Sequence, residues 1–189
     1  FDMLGEAALT EADSERYLQA YRAAIETIGA RSRSDDIFEA PSVSVKLSAL
    51  HPRFEFNQRT RVLQELTPKL LELAKLAREQ RIALTVDTEE ADRLMLTLEI
   101  FQRVFMDSGL AGWDGLGLAL QTYQKRAPAV ITMLSDLAAE TGRRIPLRLV
   151  KGAYWDSEIK HAQVEGYSGY PVFTRKANTD VAYIACARM

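Results

Sequence analysis

Short apolar runs recur along the chain, and longer amphipathic segments separate them. The runs have the length and the composition of buried strands. They are "VSVKL" (43–47), "IALTV" (82–86), "GLGLAL" (115–120), "IPLRLV" (145–150) and, more weakly, "YPVFT" (170–174). The opening "FDMLGE" is predicted to be the tail of a further strand. The pattern therefore predicts about six strands, with room for a helix after each of them.

The segments between the runs carry helical periodicity and helix-end signals. A helix begins after Thr10, which forms with Asp13 the pattern of a capping box. Thr67-Pro68 is a typical helix start, so the segment around it is predicted to hold two helices or one that bends. Further helices are predicted at 89–105, 127–142, 156–166 and 179–189.

Alternation of strand and helix predicts a parallel sheet covered by helices, either a doubly wound sheet or a (β/α)8 barrel. "GLGLAL" has no third glycine and lies within a strand, which argues against a dinucleotide-binding sheet. Eight barrel strands need about 250 residues, whereas this chain has 189. We therefore expect one domain over residues 1–189, with two strands missing if it is a barrel.

Composition narrows the class of protein. The 24 Lys and Arg nearly balance the 26 Asp and Glu, so no excess of positive charge argues for nucleic-acid contact. The single cysteine, Cys186, excludes an internal disulfide and is predicted to be a core residue. Neither a signal peptide nor a membrane span is recognisable, which predicts a soluble chain, and the single cysteine suits a reducing cytoplasm. The chain starts at Phe1 and stops at Met189 within a predicted helix, so we expect a piece of a longer polypeptide.

Polar side chains follow successive strands where each strand ends. In a barrel these positions share the face on which barrel enzymes place their sites. Cations, carboxylates, an amide and aromatic rings gather there, a mixture that suits an anionic, partly aromatic ligand, although structural ion pairing uses the same residue types. The set comprises Asp2, Glu6, Lys46, Asp87, Glu89, Gln121, Arg148, Lys151, Tyr154, Trp155, Thr174, Arg175 and Lys176.

Other chemistries have weaker support in the sequence. The two histidines, His51 and His161, lack metal-ligand spacing, so no metal site is predicted. No nucleophile elbow of a serine hydrolase is present. Lys151 at a strand end leaves open a Schiff-base lyase, in which nearby Arg148 would depress the lysine pKa. That hypothesis does not account for Trp155 or for the later "TRK".

Six motifs, in order along the chain, resemble the proline dehydrogenase domain of the bifunctional bacterial proline-utilisation flavoproteins. They are "FDMLGE", "VSVKLSALHPRF", "VDTEEADR", "LQTYQKR", "RLVKGAYWDSEIK" and "GYPVFTRK". The resemblance implies a (β/α)8 TIM-like barrel with non-covalent FAD. It also implies oxidation of L-proline to 1-pyrroline-5-carboxylate by hydride transfer to flavin N5, the first step of proline catabolism to glutamate. A quinone acceptor, transient association with the inner membrane and an aldehyde dehydrogenase domain in the parent protein are implied too.

The resemblance also assigns cofactor roles. Arg148 is expected near flavin N5 and the pyrimidine edge, where a cation stabilises reduced flavin. Asp87 and Gln121 are expected to satisfy the polar edge of the ring or to orient neighbours. Gly152 would let the backbone approach the cofactor. Lys151, Ala153 and Trp155 are expected along the ribityl and adenosine portions, and Thr174, Arg175 and Lys176 at the pyrophosphate.

For the substrate, the resemblance places Lys46 at the carboxylate of proline and Tyr154 against its ring. The field of Lys46 and Arg148 should disfavour the protonated amine, so that its lone pair can assist hydride loss. Glu6 and Asp2 are expected to arrange the cations of the pocket. The family's arginine pair, which clamps the substrate carboxylate, does not follow residue 176. A catalytically silent structural excerpt is therefore a third hypothesis beside the dehydrogenase and the lyase.

Overall fold

The computed structural model describes residues 1–3, 7–34 and 36–189, and its centre is a sheet of four parallel strands. Each strand pairs with its neighbour along the chain, and a helix lies in every connection. This sequential order is that of a (β/α) barrel, whereas a doubly wound sheet reverses its order at a switch point. The chain is therefore part of a barrel. Its strands are β1 (Ser42–Lys46), β2 (Ala83–Asp87), β3 (Leu116–Gln121) and β4 (Leu147–Val150).

Helices cover the outer face of the sheet. Their bounds are α1 (Glu11–Gly29), α2 (Leu47–Leu50), α3 (Arg59–Glu79), α4 (Leu94–Phe105), α5 (Ala127–Thr141), α6 (Trp155–Val164) and α7 (Lys176–Arg188). Helix α3 continues through Pro68 as a single element. Of the two alternatives predicted for this segment, one helix rather than two is therefore correct. Helix α4 begins later than predicted, because residues 88–93 form a loop and a turn.

Within the described residues, the predicted first and last strands form only isolated bridges. Asp2 makes one parallel bridge to Ser44, and Val172 makes one antiparallel bridge to Gln124. Residues 4–6 of the first predicted strand lie outside the described residues. In the last one, Pro171 has no backbone N–H to donate, which interrupts a ladder. The part of the chain that the structure describes therefore contains four strands, not six.

The two faces of the sheet differ in chemistry. Because successive side chains of a strand point to opposite faces, Val43, Val45, Leu84 and Val86 point outward together and pack into the helix-covered core. The inner face is small and polar instead. It carries Ser44, Lys46, Thr85, Asp87, Ala119, Gln121 and Arg148. A polar barrel interior, rather than a packed one, is typical of a site.

Local features of the helices match the sequence pattern. The capping box is present, since the Asp13 N–H donates to Thr10 Oγ1 at 3.1 Å and the Thr10 N–H to Asp13 Oδ2 at 3.0 Å. Tyr21 of α1 is fully buried behind β1, and its hydroxyl accepts the Lys46 N–H at 3.2 Å. Cys186 is buried in α7, as predicted. Among the described helices, none combines the length and the apolar composition that crossing a bilayer requires.

Candidate functional site

A layer of side chains crosses the inner face of all four strands. Lys46, Asp87, Ala119 and Arg148 lie in one register across the sheet. Ala119 of β3 stands between Asp87 and Arg148 in this register. Arg148 Nη2 donates to Asp87 Oδ1 at 2.5 Å, and Arg148 Nη1 donates to Ser44 Oγ at 2.8 Å. The strand arginine therefore has two partners inside the barrel and is fixed in orientation.

Ser44 was not identified from the sequence as a functional residue. It is buried on β1, and its hydroxyl holds one arm of Arg148. The available signal is the alternation of "SVSVK", which places Ser42, Ser44 and Lys46 on one face of the strand. A polar face on an otherwise buried strand indicates a polar interior.

The inner face of the sheet opens into a cavity of about 300 Å³, here called the interior cavity. Most of the residues predicted to act on substrate or flavin line it. They are Lys46, Asp87, Gln121, Arg148, Lys151, Gly152, Ala153 and Tyr154, joined by Asp2, Thr88, Ala119 and Val150. Lys46 Nζ lies 3.5 Å from Asp2 Oδ1, so an acid of the N-terminal segment does accompany a cation of the pocket.

A second cavity of about 330 Å³, here called the outer cavity, adjoins the first, because Lys151 and Gly152 line both. Its other walls combine aromatic rings with polar side chains: Tyr123, Trp155, Phe173, Thr174, Lys176 and Thr179. Trp155 Nε1 donates to the carbonyl of Phe173 at 3.1 Å, which orients the indole. The arrangement suits a flat ring next to an anion.

Asp180 of α7 joins the two lysines of the outer cavity. Lys151 Nζ lies 2.5 Å from Asp180 Oδ1, and Lys176 Nζ lies 2.7 Å from Oδ2. The hydrogen bond to Asp180 raises the pKa of Lys151, whereas a Schiff-base nucleophile needs a lowered pKa. Arg148 contacts Asp87 and Ser44 instead. The prediction that Arg148 depresses the lysine pKa is therefore wrong, and the lyase hypothesis loses its physical basis.

Gln121 connects the loops that follow β2 and β4. Its Nε2 donates to the carbonyls of Thr88 at 3.0 Å and Glu89 at 2.8 Å, and its Oε1 accepts the Ala153 N–H at 2.9 Å. Both amide hydrogens are therefore engaged with the backbone. Of the two predicted roles, the observed contacts are those of a residue that orients its neighbours.

Gly152 has an unusual backbone conformation, with φ of 153°. A Cβ at this position would lie 2.5 Å from the ring of Tyr123, which is closer than real Cβ contacts come. A contact within the chain is therefore a second reason for glycine here, beside the predicted close approach of a cofactor. The expected cofactor contact itself stays a prediction.

Burial shifts the acid–base groups beside the interior cavity. It raises the pKa of Tyr154 to about 12 and also raises that of Tyr123, so both phenols are neutral at physiological pH. It raises the pKa of Glu89 as well, although that carboxylate accepts hydrogen bonds from the backbone and hydroxyl of Ser48. Glu89 thereby joins the end of β2 to helix α2, a role that was not predicted.

Among the predicted site residues that the structure describes, Glu89 and Arg175 line neither cavity. Arg175 is the exposed N-cap residue of α7. Glu6 lies outside the described residues. Within the described ranges, no three His, Cys, Asp or Glu side chains are grouped so that they could hold a metal ion.

Known proteins match this chain over all or nearly all of its length. The family model described as "Proline dehydrogenase" matches residues 1–189. The chain is 54% identical over 188 residues to the bifunctional protein PutA of Salmonella typhimurium, and 50% identical over 184 residues to that of Rhizobium meliloti. It covers 14% and 15% of the length of these relatives, while 100% and 97% of its own residues align.

Solved structures show the same fold. A crystal structure of a variant of proline utilization A from Bradyrhizobium japonicum superposes with a TM-score of 0.97 at 57% identity, over 99% of this chain and 19% of that one. The proline utilization A of Bdellovibrio bacteriovorus, inactivated by N-propargylglycine, superposes with a TM-score of 0.90 at 28% identity, over 99% of this chain and 20% of that one.

Proposed function

The chain belongs to the proline dehydrogenase family, and we propose on this premise that it forms the flavin and proline site of an enzyme that oxidises L-proline to 1-pyrroline-5-carboxylate. The observation that carries the proposal is the layer of Lys46, Asp87, Ala119 and Arg148, which places two cations on one floor of the interior cavity. The reaction needs one cation for a carboxylate and another for a reduced ring.

FAD, the proposed cofactor, supplies an acceptor for the hydride that leaves the carbon next to the ring nitrogen of proline. The chain fits this group at Arg148, whose guanidinium is held by Asp87 and Ser44 and can stabilise the electron density that reduction adds. Gln121 keeps the loops after β2 and β4 in place around the ring. Fixed partners mean that Arg148 needs no reorganisation when charge develops.

The outer cavity is the proposed place of the rest of the cofactor. Lys151, Gly152 and Trp155 would hold the ribityl and adenosine portions, together with Ala153 of the interior cavity. Thr174 and Lys176 would hold the pyrophosphate, together with the backbone N–H groups at the start of α7. Arg175 lies outside the cavity wall but next to both residues in sequence, and it is proposed to add its charge there. The fit rests on Lys151 and Lys176 at the cavity wall, which Asp180 holds close together through an ion pair with each of them.

Proline itself is proposed to lie in the interior cavity. Lys46 would pair with its carboxylate, and Tyr154 would pack against its ring, with Asp2 and Glu6 arranging the cations. The positive field of Lys46 and Arg148 favours the neutral amine. Its lone pair would then be free to form the C=N bond, and the nitrogen proton would pass to solvent. We assign no general base.

The wider context is proposed from the resemblance and from the relatives. "Bifunctional" in the relatives' names supports an aldehyde dehydrogenase part in the parent protein. A membrane quinone is the proposed final acceptor, so the protein would work in the bacterial cytoplasm with transient association to the inner membrane. Residues 1–189 would be a single partial barrel domain without nucleic-acid contact. The arginine clamp would come from elsewhere in the parent protein.

The proposal is tested by an assay on the polypeptide as its gene encodes it, with an artificial electron acceptor. Proline should reduce the acceptor, and the product should give the coloured adduct of 1-pyrroline-5-carboxylate with 2-aminobenzaldehyde. Borohydride added during turnover should leave Lys151 unmodified. A colourless protein that borohydride traps at Lys151 would replace this function with the lyase.

A further inference from the structure

We propose that Tyr123 is a positioning residue for proline binding: its hydroxyl fixes Tyr154 in the interior cavity, while its ring supports the wall between the two cavities. The inference rests on the proposed function, because it assigns Tyr154 to the ring of proline. No role for Tyr123 follows from the sequence motifs alone.

The backbone of Tyr123 joins two segments that line the cavities. Its N–H donates to the carbonyl of Lys151 at 2.7 Å, and its carbonyl accepts the N–H of Phe173 at 2.8 Å. The loop after β4 and the segment before α7 are thus both attached to the end of β3. Side-chain substitution at position 123 leaves these two backbone bonds in place, so its effect isolates the side chain.

The phenol hydroxyl acts on one neighbour that matters for substrate. It accepts the backbone N–H of Tyr154 at 3.2 Å. Tyr123 is 3% exposed and lines the outer cavity, whereas Tyr154 lines the interior cavity. The hydrogen bond therefore connects the wall of the outer cavity to the wall of the interior cavity. Without the hydroxyl, the Tyr154 N–H loses its partner, and the aromatic ring that packs on proline loses its anchor.

The ring of Tyr123 acts on a different neighbour. It occupies the space where Gly152 would carry a Cβ, and Gly152 lines both cavities. The ring therefore packs directly against this backbone. Removal of the hydroxyl should disturb proline alone, whereas removal of the ring should also disturb the cofactor.

The experiment compares Tyr123→Phe, Tyr123→Leu and Tyr170→Phe in the polypeptide as its gene encodes it. Tyr170→Phe is the matched control, because its hydroxyl also accepts a hydrogen bond, from Gln163 Nε2 at 3.2 Å, but lines neither cavity. In Tyr123→Phe we expect the KM for proline to rise about three- to tenfold with kcat nearly unchanged, since ground state and transition state lose the same contact. FAD affinity should stay unchanged there and fall only in Tyr123→Leu.

Hydrogen exchange at the Tyr154 amide is the readout that does not need turnover. It should become faster in Tyr123→Phe and not in Tyr170→Phe. Unchanged exchange, an unchanged KM, or equal losses of proline and FAD binding in Tyr123→Phe would overturn the inference. If proline does not react with the unmodified protein while the amide effect persists, the proposed function fails, and the substrate role of Tyr123 fails with it.

Discussion

At the scale of single residues, the site depends on charged side chains whose partners fix their direction. Arg148 carries two hydrogen bonds across the sheet, to Asp87 and Ser44. Lys46 instead lies beside Asp2 at the edge of the interior cavity. The two cations are therefore expected to serve different partners, flavin and carboxylate.

Substitution by methionine separates these roles. In Arg148→Met, we expect the rate of flavin reduction by saturating proline to fall by roughly two orders of magnitude, because a preorganised charge is lost. In Lys46→Met, we expect mainly the KM for proline to rise, by about tenfold or more, because a charge-assisted bond to the carboxylate is lost. Rapid-mixing and steady-state kinetics measure the two effects.

The control for charge alone is Lys160→Met, since Lys160 is exposed on α6 and lines neither cavity. Its kinetics should match those of the unmodified protein. Equal losses of rate and of proline affinity in both Arg148→Met and Lys46→Met would count against the assignment.

Gly152 gives a second prediction at this scale. Gly152→Ala should lower the free energy of unfolding by about 1–3 kcal/mol, because φ of 153° strains an L-residue and the added Cβ meets the ring of Tyr123. FAD affinity should fall with it. Gly169→Ala is the control, because nothing lies within 4 Å of its added Cβ. Urea unfolding measures the stability of both variants. Equal midpoints for Gly152→Ala and Gly169→Ala would contradict the predicted clash with the Tyr123 ring.

At the scale of elements, buried carboxylates join the loops to the barrel. Glu89 accepts hydrogen bonds from Ser48 at the start of α2, and Glu158 of α6 accepts the Ala91 N–H at 2.6 Å. Burial raises the pKa of both acids. These contacts fix the loop after β2 from two sides, and that loop carries the carbonyls to which Gln121 donates.

Glu89 makes stability depend on pH in a defined direction. Its folded pKa lies above the unfolded value of 4.5, so the folded state binds more protons in the window between them. The free energy of unfolding should therefore fall as the pH rises from about 4.5 through the folded pKa, and the slope within that window is at most about 1.4 kcal/mol per pH unit. Glu89→Gln cannot ionise at this position and should show a smaller decline, because the contribution of Glu158 remains.

Urea unfolding at pH 5 and pH 8 measures the difference between the two proteins. Glu99→Gln is the control, because burial of Glu99 is outweighed by hydrogen bonds from Arg59 and Arg103 that lower its pKa. The stabilising effect of the Glu99 carboxylate is lost only below pH 4.5. The difference in free energy of unfolding between the unmodified protein and Glu99→Gln should therefore be the same at pH 5 and pH 8. The free energy of unfolding of the unmodified protein, relative to that of Glu89→Gln, should be lower at pH 8 than at pH 5. A higher relative value at pH 8 would contradict the predicted sign.

The elements also show what the sequence can predict. Strands β1 to β4 match four apolar runs closely, because each strand places apolar side chains against the helix-covered core. As far as the structure describes them, the segments around Asp2 and Val172 make only isolated bridges, because a ladder needs a neighbour that no local pattern reveals. Clustering of the site was predictable, since parallel strands end at one rim. The sequence does not predict the partners of Arg148, the hydrogen bonds of Gln121 or the contact of Tyr123 with Gly152. These depend on cross-strand register and on side-chain rotamers.

At the scale of the whole molecule, the sheet is open at its last strand. Leu147 and Leu149 of β4 are only partly buried, and Arg148 remains 47% exposed in its side chain. The relatives are far longer than this chain, which covers 14% of the Salmonella typhimurium protein. The polar inner face is nevertheless assembled from these four strands, and the proposed chemistry rests on that face.

The most direct test is an anaerobic visible spectrum of the FAD-loaded polypeptide, as its gene encodes it, before and after excess L-proline. We expect the visible absorbance of the bound flavin to be lost on addition of proline, because the interior cavity would bring the substrate carbon to the cofactor. A bound flavin whose spectrum excess proline leaves unchanged would contradict the proposed function.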